Sequence, residues 1–274
     1  KAALVNRGTQ GLYPPGSTFK IVTALAYIRQ NPDSWQNYHY QCNGAYINGD
    51  NKINCYHGSV HGDVNLMTSF AKSCNASFAN IGMSMDREKF GETIDGLLFN
   101  QELSFPLPYN QTKVTLDQDS TDEDVIQTSI GQGKTQITPV QLNLITAAIA
   151  NGGKAAVPRL IEKSTTDYGL PTGIYRTKNS AQLIDEKTAG TIADLMHNNV
   201  IETYGQDRFP GMDICAKSGT AEVGADKTPN AWFTGFLRDE DTPYAFIVLV
   251  ENGGGGARVA GTVASAVLQT AVSR

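Results

Sequence analysis

The 274-residue chain is 40% hydrophobic and 18% charged, the profile of a globular protein with a substantial buried core and not of a disordered or fibrous one. A net charge of -5 excludes the basic face that nucleic acid demands, so no nucleic-acid partner is expected. No apolar run approaches the roughly 18 residues of a membrane span, and four cysteines are too few for a disulfide-dense scaffold.

Along the chain, Tyr13-Pro14-Pro15-Gly16 reads as a rigid turn that aims the following segment. Phe19, Val22, Ala24, Ala26, Tyr27 and Ile28 then form a broad helical stripe, predicting a helix from Ser17 to about Arg29. Residues 31–63, rich in Asn, Gly and Tyr, read as an irregular or β-ribbon insert. Helical pattern resumes from about Leu66 to Phe99. Residues 100–128 read as polar loop, with the acidic run Asp117 to Asp124 on a solvated surface. Thr138-Pro139 starts a helix that ends at Asn151-Gly152-Gly153. Val157 to Lys163 is expected to be a strand, and Asp185 to cap a helix reaching about Val200. Strands are predicted at Asp213 to Ser218, Ala231 to Arg238 and Tyr244 to Glu251, and a final helix at Val259 to Val272. Helices in the middle with strands gathered late point to an α/β sheet layer plus a helical lobe. The expectation is one domain over 1–274, the lobe at roughly 31–150 and the α/β layer from the remainder.

Three short motifs carry chemistry. Ser17-Thr18-Phe19-Lys20 puts a hydroxyl and an amine one helical turn apart, so the amine can take the hydroxyl's proton. The preceding turn sets Ser17 at a helix start, whose free N–H groups favour a developing anion. A second such spacing, Ser69-Phe70-Ala71-Lys72, lacks the Pro-Pro-Gly turn and reads as ordinary helix surface. Ser73-Cys74-Asn75 supplies another hydroxyl and an amide, and Lys217-Ser218-Gly219-Thr220 follows a strand with a cation, two hydroxyls and a glycine permitting close backbone approach. Each alone is equally well a cap, a turn or a strand end.

In this order, Ser-x-x-Lys, Ser-x-Asn and Lys-Ser-Gly resemble the signature of penicillin-binding proteins and serine β-lactamases. Leu12 to Lys20, Ser129-Ile130-Gly131-Gln132-Gly133 with Thr138 to Leu142, and Asn230 to Phe236 resemble segments of the class B penicillin-binding proteins, the monofunctional division- or elongation-type transpeptidases. The resemblance implies the penicillin-binding/serine β-lactamase-like fold: α/β, an antiparallel sheet flanked by helices plus an all-helical lobe. Only 16 residues precede Ser17, so the family's N-terminal strands are expected to be missing from this chain. It implies a D,D-transpeptidase that forms a serine acyl-enzyme with D-Ala-D-Ala stem peptides and is inhibited by β-lactams. A β-lactam sensor domain, a serine β-lactamase and a D,D-carboxypeptidase share the same motifs. Carried over, the roles are Ser17 as nucleophile, Lys20 as its base, Ser73 and Lys217 in the proton relay, Asn75 on the substrate backbone, and Ser218, Gly219 and Thr220 around the terminal carboxylate, with the Ser17 and Thr220 N–H groups as oxyanion hole. No cofactor is expected. Peptidoglycan stem peptides, β-lactams and other cell-wall synthesis proteins are the implied partners, at the extracytoplasmic face of the cell membrane, anchored by a segment absent from this chain.

Cys42, Cys55, His61 and Cys74 fall within a short span. The implied extracytoplasmic placement permits a disulfide, and Cys42–Cys55 across a ribbon is the preferred pairing. A tetrahedral zinc site from the three cysteines and His61 is the second reading, and unpaired thiols the third. If Ser73 and Asn75 face the pocket, Cys74 points away from it.

Overall fold

The Pro-Pro-Gly turn delivers the chain into a 3-10 turn, Gly16–Phe19, that continues as the helix α2, Lys20–Gln30, after a short α1 at Arg7–Gln10. Side chains of α2 are buried on every side from Lys20 to Ala26, which makes it the central helix of the molecule. These features come from a computed structural model, which describes residues 4–103, 105–224 and 226–273.

Residues 39–65 form two short antiparallel ribbons: β1, His39–Cys42, pairs with β4, Gly62–Asn65, and β2, Ala45–Asn48, pairs with β3, Asn51–Asn54. The ribbon character expected here holds, so the lobe is helical with two ribbons and not helical throughout. The run expected to be helical from Leu66 to Phe99 is three helices: α3 at Leu66–Ala71, α4 at Asn75–Ser84 and α5 at Arg87–Gly96. Ser73, at φ 52°, breaks the first junction, and the Asp86 carboxylate accepts from the Lys89 N–H to cap the third helix. The acidic run is only partly loop. Thr121 and Asp124 form a reciprocal capping box, and Asp122, Glu123 and Asp124 fill the first turn of α6, Asp122–Ser129, where the helix dipole favours them.

Helix α7, Pro139–Ala150, starts with Pro in its first turn and Thr138 as cap. No strand forms over 157–162, and only Lys163 of the expected run lies in one. Pro158 removes a ladder donor there, and the hairpin lies just beyond, with β5 at Lys163–Thr165 and β6 at Pro171–Ile174. Asp185 caps α8, Glu186–Asn199, and the chain then widens into a single π turn, Val200–Tyr204.

The main sheet is antiparallel in the order β7, Ile214–Ala221; β8, Asn230–Leu237; β9, Ala245–Val250. Strand β8 is buried along its whole length. Its Trp232 and Phe236 join the larger core with α2, α7 and α8, while Ala231, Phe233 and Leu237 pack against α9, Gly256–Val272. The sheet is thus sandwiched between helices. Strand β9 ends it among the described residues, and all six of its residues, Ala-Phe-Ile-Val-Leu-Val, are only half-buried. No described helix is long and apolar enough to cross a membrane.

Candidate active site

Two backbone contacts set the turn that carries Ser17, the expected nucleophile. Gly131, at φ 74°, lies where a Cβ would stand 2.1 Å from the Gly16 carbonyl oxygen, and the Gly16 N–H donates to the Gly131 carbonyl at 2.8 Å. The end of β7 closes the other side. A Cβ on Gly219 would lie 2.8 Å from the Pro15 carbonyl oxygen, so the glycine lets the strand seat on the turn that carries Ser17. The indole N–H of Trp232 donates to the Pro14 carbonyl at 3.1 Å and holds the turn from below. The sequence segments around Gly131 and Trp232 are therefore parts of the support for Ser17.

Lys20 is fully buried, and its Nζ lies 3.0 Å from Ser17 Oγ, 2.7 Å from the Ser73 carbonyl, 3.2 Å from Ser73 Oγ and 2.7 Å from Asn75 Oδ1. The Asn75 amide is oriented by its Nδ2, which donates to the Asn54 carbonyl at 3.1 Å, so Oδ1 faces the lysine as an acceptor. Two of Lys20's contacts can therefore only accept. A neutral amine spends its two N–H bonds on them, and its lone pair is left for the Ser17 hydroxyl proton. Burial pushes Lys20 down to about 7, and the nearby Cys74–Cys55 thiol pair offsets part of that shift.

Lys217, also fully buried, donates to Ser73 Oγ at 3.0 Å, so two lysines converge on one hydroxyl. Burial and the neighbouring Lys20 cation both drive Lys217 well below its usual range. The rings of Phe78 and Phe70 lie 5.5 Å from the Lys20 and Lys217 nitrogens, and this apolar lining favours a single shared cation over two. With Lys20 as the base, acylation at Ser17 is expected to rise with pH as the amine loses its proton. Its half-maximum should fall near pH 7, and a rate flat from pH 5.5 to 8.5 would remove Lys20 from that role.

A cleft of about 920 Å³ opens above, lined by Ser17, Ser73, Asn75, Ser218 and Thr220, with Tyr56, His57, Gln132 and Arg258 also on its walls. Gln132 belongs to the Ser129-to-Gly133 segment singled out in the sequence, whereas no local pattern marks Tyr56, His57 or Arg258. Ser218 N–H points away from β8, and Thr220, two residues on in the same strand, presents its N–H along the same edge, which abuts the Gly16–Phe19 turn. The second Ser-x-x-Lys copy makes no dyad. Ser69 is fully buried against Ser77 at 2.7 Å, and the exposed Lys72 donates to the His61 carbonyl at 3.1 Å.

Behind the Ser73–Asn75 segment, Cys74 does point away from the cleft, into a group with Cys42, Cys55 and His61 whose four ligand atoms all lie within 4.8 Å of one another. The preferred Cys42–Cys55 disulfide is not present: all four cysteines are free, and these two sulfurs are 3.7 Å apart. The two residues are not ribbon partners, since Cys42 pairs with Gly62 in β1–β4 and Cys55 follows the other ribbon. Cys55 is equally close, 3.7 Å, to Cys74, and Cys42 is 3.5 Å from His61 Nδ1. Ligands at about 2.3 Å for sulfur and 2.0–2.1 Å for nitrogen around a tetrahedral ion stand about 3.8 Å apart sulfur to sulfur and about 3.6 Å sulfur to nitrogen. The hydrogen bond between the two thiols draws Cys55 down and pushes Cys74 up, and burial adds to the rise of Cys74.

Comparison with known proteins follows this geometry. The family model described as "Penicillin binding protein transpeptidase domain" matches residues 1–269. The chain belongs to that family. It is 29% identical over 266 residues to the peptidoglycan D,D-transpeptidase PbpA of Mycolicibacterium smegmatis, covering 93% of this chain and 53% of that protein. The ceftriaxone acyl-enzyme of penicillin-binding protein A from M. tuberculosis superposes with a TM-score of 0.90 at 25% identity, over 98% of this chain and 63% of that one. The D,D-transpeptidase domain of an Eggerthella lenta peptidoglycan glycosyltransferase gives 0.91 at 25% identity, over 100% and 68%. The chain spans 53% and 57% of the length of two of the curated relatives it matches.

Proposed function

We propose that the chain is the catalytic part of a class B penicillin-binding protein, a D,D-transpeptidase that cross-links peptidoglycan stem peptides ending in D-Ala-D-Ala and is acylated by β-lactams at Ser17. The observation that carries this reading is the convergence of Lys20 on Ser17 and Ser73, with Lys217 reaching the same Ser73 hydroxyl. Ser17 Oγ attacks the carbonyl carbon of the penultimate D-Ala while Lys20 takes its proton. The N–H groups of Ser17 and Thr220 hold the oxyanion, an interaction worth roughly 3–4 kcal/mol per donor in related chemistry. Collapse breaks the C–N bond, and a proton returns through Ser73 to the departing D-Ala amine. An acceptor amine then attacks the ester, its proton passing back along the same relay to Ser17. A β-lactam follows the first half, but its leaving nitrogen stays tethered and blocks the second. Asn75 keeps one amide hydrogen free for a substrate carbonyl, its other being spent on Asn54. The setting is the outer face of the cell membrane, where the stem peptides lie, beside other cell-wall synthesis proteins.

A D-Ala-D-Ala donor peptide mixed with an amine acceptor tests the reading: stoichiometric D-Ala release with an amide product is expected. Hydrolysis alone would make the chain a carboxypeptidase, and many-turnover hydrolysis of a chromogenic β-lactam a lactamase. Ser218→Ala is expected to slow acylation by carboxylate-bearing β-lactams roughly ten- to a hundredfold, the scale of one hydrogen bond to a charged group. An unchanged rate constant removes Ser218 from the carboxylate site.

We further propose that Cys42, Cys55, Cys74 and His61 hold a structural zinc ion. The group is closed, with three buried sulfurs and no position left for water or substrate. Its role is to fix Cys74, and with it the Ser73 and Asn75 side chains on either side.

A further inference from the structure

The π turn Val200–Tyr204 brings one residue outside every motif up to the Lys-Ser-Gly strand. π turns recur at functional sites. Tyr204 is buried, its ring packed 5.2 Å from that of Phe233, and the turn is pinned to α3 by the Thr203 hydroxyl, which donates to the Ala71 carbonyl at 2.8 Å. The phenol oxygen has three partners: Ser218 N–H at 2.7 Å, Asn199 Nδ2 at 2.8 Å and Ser218 Oγ at 2.8 Å. The direction of each bond is forced. A backbone N–H can only donate. Asn199 Nδ2 also reaches the Ala216 carbonyl at 2.8 Å, which can only accept, so the amide group is oriented with both hydrogens outward to these two oxygens. Both acceptor positions of the phenol are filled, and its single O–H must go to Ser218 Oγ. Burial raises Tyr204 and keeps that proton on it.

The Ser218 hydroxyl therefore accepts from Tyr204 and its own hydrogen is turned to the cleft, which Ser218 lines. Thr220 is arranged alike: its Oγ1 accepts from the Gly256 N–H at 3.1 Å. Serine lacks the γ-methyl that restricts a threonine rotamer, so at position 218 the hydroxyl owes its direction to this partner. We infer that Tyr204 is a positioning residue, which orients the Ser218 hydroxyl as a donor to the carboxylate of the bound substrate or β-lactam. This rests on the assignment of Ser218 to that carboxylate.

The test compares second-order acylation rate constants for benzylpenicillin and its methyl ester. In Tyr204→Phe the acid is expected to slow about tenfold while the ester changes less than twofold, because only the charged acceptor needs an aimed donor. In Tyr204→Phe/Ser218→Ala, little further loss is expected beyond Ser218→Ala. Equal slowing of acid and ester, or multiplication of the two single losses, would mark Tyr204 as a packing residue and overturn the inference. If Ser218→Ala itself leaves the acid-to-ester ratio unchanged, the carboxylate assignment fails first. If Ser218→Ala lowers the ratio and Tyr204→Phe does not, the role of Tyr204 alone fails. Should Tyr204→Phe not fold, neutron diffraction of the wild-type crystal decides. A Tyr204 deuteron on the Ser218 side and a Ser218 deuteron facing the cleft are expected, and the reverse arrangement refutes the proposal.

Discussion

Ser17→Ala is expected to remove every covalent β-lactam adduct, with acylation falling on the order of 10⁴-fold or more, the scale on which catalytic units fail when the nucleophile is lost. Lys20→Ala should fall nearly as far, because the two groups act as one: without the amine the hydroxyl has no base at 3.0 Å. Lys20→Arg is not expected to rescue, since guanidinium keeps its protons at every working pH. Ser69→Ala should leave adduct formation within twofold of wild type, its hydroxyl being sealed against Ser77. Intact-mass spectrometry after benzylpenicillin treatment reads all four, and an adduct surviving in Ser17→Ala would overturn the assignment.

Removal of the metal is expected to cost both stability and acylation. The protein as purified should carry one zinc per chain by elemental analysis, with four titratable thiols after unfolding in chelator. Four thiols with no metal would refute the zinc proposal, and two thiols would restore the Cys42–Cys55 disulfide. Cys55→Ser leaves a buried charged group without one of its partners, a loss of about 3 kcal/mol or more, which lowers Tm by roughly 6–12 °C in a protein near this size. Acylation should drop as well. Cys74 lies between Ser73 and Asn75, and both neighbours contact Lys20. A displacement of about 1 Å in such a constellation costs on the order of a hundredfold. Chelation that lowers Tm yet leaves the acylation rate constant untouched would confine the metal to a purely architectural role.

The parts of this fold that were legible in sequence are those where a local signal is complete in itself. Thr138-Pro139 starts α7, Asp185 starts α8, and the apolar runs of β8 and β9 mark strands within a residue of their observed ends, while β7 runs three residues past its expected end. The helix at Lys20 was equally clear, and so was the Ser17–Lys20 spacing within it. Two misses had readable signals: Pro158 argues against a strand at 157–163, and Thr121 with Asp124 is a capping pair inside the acidic run. Others had none. The break at Ser73 depends on a positive φ, and Cys74 caps α4 with a sulfur accepting from the Ser77 N–H, a residue type outside the usual caps. The cysteine group could be enumerated but not resolved, because ribbon register decides who meets whom. Ser73 and Lys217, 144 positions apart, were placed together only by their motifs' resemblance, whereas Tyr204 carries no motif and only the folded chain brings it to the site.

Strand β9 has a bearing on how this chain behaves in the test tube. Among the described residues, Ala-Phe-Ile-Val-Leu-Val pairs with β8 alone, leaving a row of amides and carbonyls on its other edge with no Lys, Pro or bulge to blunt it, and its side chains are half in water. Uncharged β-branched edges of this kind template the addition of further strands. Association of this chain at high concentration is expected to begin at β9 and to fall when a lysine is placed on that edge, which light scattering against concentration would show.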